Sequence, residues 1–221
     1  MKKWKLVSSN ARGGLFALAV SLLASLACAA GPTVPAALQS KQKGSSSTES
    51  VLKKEDLVYA DRVAWRSRLN WPQDCESTFD YPDKSFAGVT FYELSRGQNL
   101  VQVTCTLGSY QGTYVFMLLD ESVSPAKTTL LHFVAYEDSG EQGPGRLQKS
   151  DTTQLTGTPE FDSTTKQLRV LDKFRGLGDC GLQATYSFSK GQPELTLLQG
   201  KLNCDGKATS SPRQWKKLPL P

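Results

Sequence analysis

Histidine is all but missing from this sequence: His132 is the only one. A single histidine removes most catalytic constellations at once. GxSxG, HExxH and Walker-type segments are also absent, so the serine hydrolase, zincin and NTPase readings fall away. Long apolar runs are lacking as well. The longest, Leu15 to Leu26, holds about a dozen residues against the roughly 20 needed to span a bilayer, so no transmembrane span is expected in the mature form. No CxxC spacing occurs among the five cysteines, which argues against a metal site, and no cofactor is expected. Finally, acidic residues are absent from residues 1–29.

That stretch is where the positive signals begin. Lys2, Lys3, Lys5 and Arg12 precede the apolar run, and Ala27-Cys28-Ala29 supplies the small-x-small pattern of a signal peptidase site. Residues 1–29 therefore read as a helical export signal cleaved after Ala29. Lipidation of Cys28 is the competing reading. A lipobox favours an aliphatic residue three before the cysteine and a small one two before, and this chain has Ser25 and Leu26 there. The formal charge of +5 suggests an anionic partner, but four of the 26 Lys and Arg and none of the 21 Asp and Glu lie in the signal. The remainder carries 22 basic against 21 acidic residues, a net charge of +1, and nucleic-acid binding loses its main support. Export also places the remaining cysteines in an oxidising space, periplasmic or extracellular.

Residues 30–50 are rich in Ser, Pro, Lys and Gly and poor in large apolar side chains, the composition of a flexible leader. Residues 51–221 are expected to form one β-rich domain, with a short helix over 51–67. From Val89 the apolar period becomes two. Val101, Val103, Cys105 and Leu107 fall on one face of a strand, with Gln102, Thr104 and Thr106 on the other, which predicts a half-buried strand. Leu182, Ala184, Tyr186 and Phe188 alternate in the same way. Thr113 to Leu119 and Thr129 to Tyr136 are apolar on both faces and read as central strands. Glycine and proline turns at 96–99, 108–112, 190–193 and 204–206 punctuate the series, so an all-β fold is predicted, an antiparallel sandwich or barrel. Glu137 to Asp151 reads as the longest loop.

If the turn at Gly191-Gln192 joins strands near 182–188 and 194–202, Cys180 and Cys204 face each other at the open end of that hairpin. A disulfide between them is the economical pairing, and Cys75 with Cys105 follows by elimination. Gly176-Leu177-Gly178-Asp179-Cys180-Gly181 fits GxGxxG, yet an alternating strand follows instead of a helix, so a dinucleotide site is rejected. Lys173, Arg175 and Asp179 beside it are candidates for a small anion-binding concavity of backbone N–H groups. Tyr110 and Gln111, at the tip of the Gly108–Gly112 turn, are the candidate contact residues for a partner. Most other Trp and Tyr side chains, and His132 among its apolar neighbours, are expected in the core. Adjacent carboxylates at Asp120 and Glu121, Glu137 and Asp138, and Asp74 and Glu76 are candidates for a hydrolytic pair.

The run Lys173-Phe174-Arg175-Gly176-Leu177-Gly178-Asp179-Cys180-Gly181, followed by an aromatic strand, a glycine turn and Cys204, resembles the bacterial domain-of-unknown-function family 1176. Its members carry a KGRGxGDCG-like segment, a later cysteine and a closing tryptophan, for which Trp215 stands here. Val103 to Tyr114 is similar to the family's cysteine strand, with Gln111-Gly112-Thr113-Tyr114 in place of Gly-Ala-Tyr-Asn and Phe174 in place of a glycine. The likeness spans residues 60–217. It implies an exported bacterial envelope protein and supplies no catalytic residues. Two functions follow as expectations: a non-catalytic module binding an envelope protein or cell-wall glycan, or an envelope hydrolase using a carboxylate pair.

Overall fold

Asp61 accepts a 2.8 Å hydrogen bond from the backbone N–H of Val58, and at that point the chain turns into its first helix. The computed structural model describes residues 52–138, 147–189, 191–207 and 211–220. The expected export signal with Cys28 and Ala29, the expected leader, and residues 139–146 of the expected long loop lie outside the described residues. Helix α1 spans Tyr59–Leu69 and α2 Gln73–Thr78. The helix expected over 51–67 thus starts later and runs further. Arg62, Trp65 and Leu69 supply its buried face at i, i+3 and i+7, whereas Leu52 and Leu57 reach the same core from non-helical backbone. Asn70 ends α1 in the left-handed conformation, its N–H bonded to the Arg66 carbonyl at 2.8 Å.

Eleven strands follow: β1 Val89–Ser95, β2 Gln98–Leu107, β3 Gly112–Asp120, β4 Lys127–Leu130, β5 Phe133–Asp138, β6 Leu147–Thr152, β7 Gln154–Asp162, β8 Gln167–Lys173, β9 Gly181–Ser187, β10 Glu194–Lys201 and β11 Lys216–Lys217. Every pairing is antiparallel. The order β1-β2-β3-β7-β8-β9-β10-β11, with β4 also on β3, does not close into a barrel. Strand β3 is the switch: Gly112 to Val115 pair with β7 and Met117 to Asp120 with β4. Strands β5 and β6 form a hairpin of their own, which corrects the loop expected over Glu137 to Asp151: backbone pairing of Glu137 with Gln148 and of Asp138 with Leu147 makes both of its ends strand.

The expectation of a half-buried β2 is corrected here. Val101, Val103 and Cys105 pack against Trp65, Leu69, Trp71 and Cys75, while Leu100 on the other face joins Tyr114, Phe116, Phe133, Leu168 and Tyr186. Polar residues on one face read as solvent-facing, but the helices cover one side of β1–β3 and the β7–β10 strands and β5 cover the other. Thr104 is consequently buried, and Leu107 is exposed, because an irregularity between Thr104 and Thr106 shifts the register before the strand ends. The Thr129–Tyr136 segment is also corrected. It divides at Leu131-His132 into β4 and β5, which belong to different sheets. His132 is exposed, its Nδ1 lying 3.0 Å from Asp151 Oδ1, so the expected core histidine is a surface residue.

Two disulfides tie the layers. Cys75–Cys105 joins α2 to β2, and Cys180–Cys204 spans the open end of the β9–β10 hairpin, just beyond the Gly181–Lys201 pair. Trp215 is buried, and its carbonyl accepts a hydrogen bond from Gln199 at 3.1 Å.

Candidate functional site

The turn after β2, the end of β8 and the segment around Cys204 meet at one end of the sheet. Gln111 links the first two: its amide nitrogen donates to Asp172 Oδ1 at 2.9 Å, and its oxygen accepts from the Lys173 backbone N–H at 2.9 Å. Beside it Tyr110 is 43% exposed, enough of its ring to meet a partner. These residues line a groove of about 810 Å³ together with Glu137, Phe174 and Asn203. The groove shares Glu137, Thr156 and Asp172 with an inner cavity of about 70 Å³ between the β5–β6 hairpin and the sheet. Leu155, Val170, Leu182 and Leu198 supply the apolar part of its wall, and Tyr136 and Tyr186 also line it. The Tyr186 hydroxyl donates to the Val134 carbonyl at 2.9 Å, and burial keeps it protonated well beyond the usual phenol range.

Asp172 sits where groove and cavity join. Burial raises its carboxyl above the usual carboxylate range, the Gln111 hydrogen bond counteracts this, and the nearby charge of Glu137 raises it further. Gly181 shows how closely the neighbouring strand approaches. It has φ +154°, and a Cβ there would stand 2.2 Å from the Asp172 carbonyl oxygen.

An acid raised on folding is a stability cost once ionised. Asp172 and its unfolded counterpart are both protonated well below pH 3.8, whereas between 3.8 and the raised folded value only the unfolded chain readily releases the proton. Stability contributed by this site therefore falls as pH rises through that window. Asp172→Asn, which retains an acceptor for Gln111, is expected to raise the urea midpoint at pH 7 and leave it unchanged near pH 2.5. A lower midpoint at pH 7 would contradict this account.

The remaining sequence candidates have structural partners. Asp179 is buried; Arg175 donates to both its oxygens and Gly206 N–H to Oδ2 at 2.6 Å, which holds its carboxyl far below the usual range. Arg175 also donates to the Cys204 carbonyl at 3.2 Å. The GDCG segment thus fastens the disulfide end, and its Arg175 and Asp179 are bonded to each other. Lys173 contributes its backbone to the Gln111 link and lines the groove.

Two of the three adjacent acid pairs are taken up in structural contacts. Asp120 accepts from Ser122 and Gln98, and Glu121 from Lys54, Arg68 and Asn99. Asp74 accepts from Gln154, and Glu76 from Arg62 and Trp71. Glu137 instead faces Asp172, 35 positions away, a pairing created by the hairpin crossing the sheet. The alternation of β8 gave Asp172 no distinguishing mark in the sequence.

A family model described as a protein of unknown function, DUF1176, matches residues 24–218. No curated protein and no solved structure matches the chain.

Proposed function

The chain belongs to the DUF1176 family, and we propose that it is an exported cell-envelope protein whose role is binding, through the groove at the Tyr110 end of the sheet. The single observation that carries this reading is the groove itself: an exposed aromatic rim, fixed amide and carboxylate groups beneath it, and an apolar recess behind. Such a mixture of a few placed polar groups on an apolar concavity suits a ligand better than bare surface does. Export rests on the basic and apolar pattern of residues 1–29 with cleavage after Ala29, and a periplasmic or secreted location agrees with two disulfides and with the lack of a long apolar helix among the described residues. Lipidation of Cys28 is the alternative end of that processing. One mature domain, 51–221, follows a leader over 30–50.

A cell-wall glycan is the favoured ligand, because stacking on a tyrosine with flanking amides and carboxylates is the chemistry that holds sugars. Purified peptidoglycan sacculi are expected to pellet the wild-type protein, and Tyr110→Ala is expected to reduce the pelleted fraction several-fold. Tyr110 lies over Gly176 on the surface, so its truncation spares the core. Wild-type protein that stays in the supernatant would overturn the glycan reading, and equal pelleting of both proteins would remove the groove from it.

One observation favours a second reading, hydrolysis by a carboxylate pair. Asp172, whose carboxyl is raised by burial, and Glu137 line the same groove, as the two acids of such a pair must. In that case release of soluble glycan from sacculi would be lost in both Asp172→Asn and Glu137→Gln.

A further inference from the structure

We infer that the inner cavity is a subsite for a small organic ammonium group, enclosed by alkyl and tyrosine side chains with its charge against Asp172 and Glu137. The inference deepens the groove reading by naming the chemistry of the ligand's buried part.

The cavity's size sets the first condition. At roughly 30 Å³ of liquid per water, about 70 Å³ accommodates some two waters, the bulk of a methylammonium group. Its lining sets the second. Leu155 and Val170 offer alkyl contact, and Tyr136 and Tyr186 add to the wall the aromatic residue type to which ammonium groups are attracted. Tyr186 cannot compete as an anion, since its hydroxyl is bonded to Val134 and stays protonated.

Charge supplies the third. Asp172 receives a neutral amide hydrogen bond from Gln111, and neither Asp172 nor Glu137 has an ion-pair partner among the described residues. Lys173 on the groove wall sends its backbone N–H to Gln111 and makes no ion pair with either acid among the described residues. Two mutually repelling carboxylates at the mouth of an aromatic cavity are complementary to a cation bearing alkyl groups. A neutral ligand of equal size would leave that repulsion in place. An anion would add to it.

Titration of the 15N-labelled protein with methylammonium chloride tests this, with methanol as the neutral isostere and NaCl as the ionic control. Saturable shifts at the Asp172, Ala184 and Tyr186 amides are expected with the ammonium. They should be weaker by at least roughly fivefold with methanol and in Asp172→Asn, and absent with NaCl. Asp172→Asn serves because it is expected to fold at least as stably as wild type at pH 7. Equal response to methanol, an unchanged response in Asp172→Asn, or no saturable shift overturns the ammonium subsite. Tyr110-dependent pelleting with sacculi is untouched by those outcomes. Conversely, loss of that pelleting with ammonium binding retained overturns the groove reading and leaves the subsite standing.

Discussion

Arg62→Ala is expected to lower stability by about 3–5 kcal/mol, the range for removing one partner of a buried ion pair. The guanidinium is wholly buried beneath α1. Its Nε and Nη2 donate to Glu76 Oε2 at 3.1 and 2.8 Å, Nη1 donates to the Ala87 carbonyl at 3.0 Å and Nη2 to the Thr104 carbonyl at 3.1 Å. The ring of Phe79 lies 3.7 Å away, centroid to guanidinium carbon, and that of Trp71 5.1 Å. Truncation leaves Glu76, only 15% exposed at its side chain, with Trp71 as its remaining donor, and frees two carbonyls of the β1–β2 region. Burial lowers the guanidinium's own pKa, with Glu76 counteracting, yet arginine remains charged at any pH where the protein is folded. Urea unfolding with the disulfides intact measures the effect. Pairing Arg62→Met with Glu76→Gln should recover much of it, because the isolated charge is then gone. A loss below about 1 kcal/mol in Arg62→Ala would show that the network is not a stabilising unit.

The second large effect is at Cys75–Cys105. Replacing both residues by alanine is expected to cost roughly 3–4 kcal/mol on the chain-entropy estimate for their loop, whose ends are 30 residues apart. Both cysteines are buried against Trp65, Trp71 and Leu69, so the six-residue helix α2 loses its covalent tie to β2 at the centre of the helix-facing core. The two disulfides should also differ under limited reduction. Cys75 and Cys105 are at most 1% exposed, whereas Cys204 is exposed beside the groove. Thiol attack requires access to sulfur, so alkylation followed by mass mapping should label Cys180 and Cys204 first. Labelling of Cys75 and Cys105 first would reverse the proposed order of protection, and a double substitution costing under about 1 kcal/mol would deny the disulfide its stabilising role.

The residues differ in how openly they announce these roles. Leu182, Ala184, Tyr186 and Phe188 alternate over so short a stretch that strand β9, its hairpin with β10 and the placement of Cys180 opposite Cys204 all follow from local spacing. Tyr110 is marked by the glycines on either side of its turn. Arg62 carries no such mark. In sequence it is one of three arginines in a helix with a weak apolar pattern, and only the approach of Ala87 and Thr104, 25 and 42 positions on, makes it a core residue. His132 fails in the opposite direction. Its apolar neighbours belong to the ends of two strands in different sheets, and the residue between them turns outward.

By itself the sequence determined the antiparallel β class, the disulfide pairing across the β9–β10 hairpin and the family, because each depends on the period or chemistry of residues close in the chain. Tertiary structure alone decided that both faces of β2 are covered, that Glu76 belongs to Arg62, and that Glu137 meets Asp172 over an aromatic cavity. Those relations depend on where the β5–β6 hairpin and helix α1 settle on the sheets. Packing of apolar surface, which has no short-range period, sets that placement.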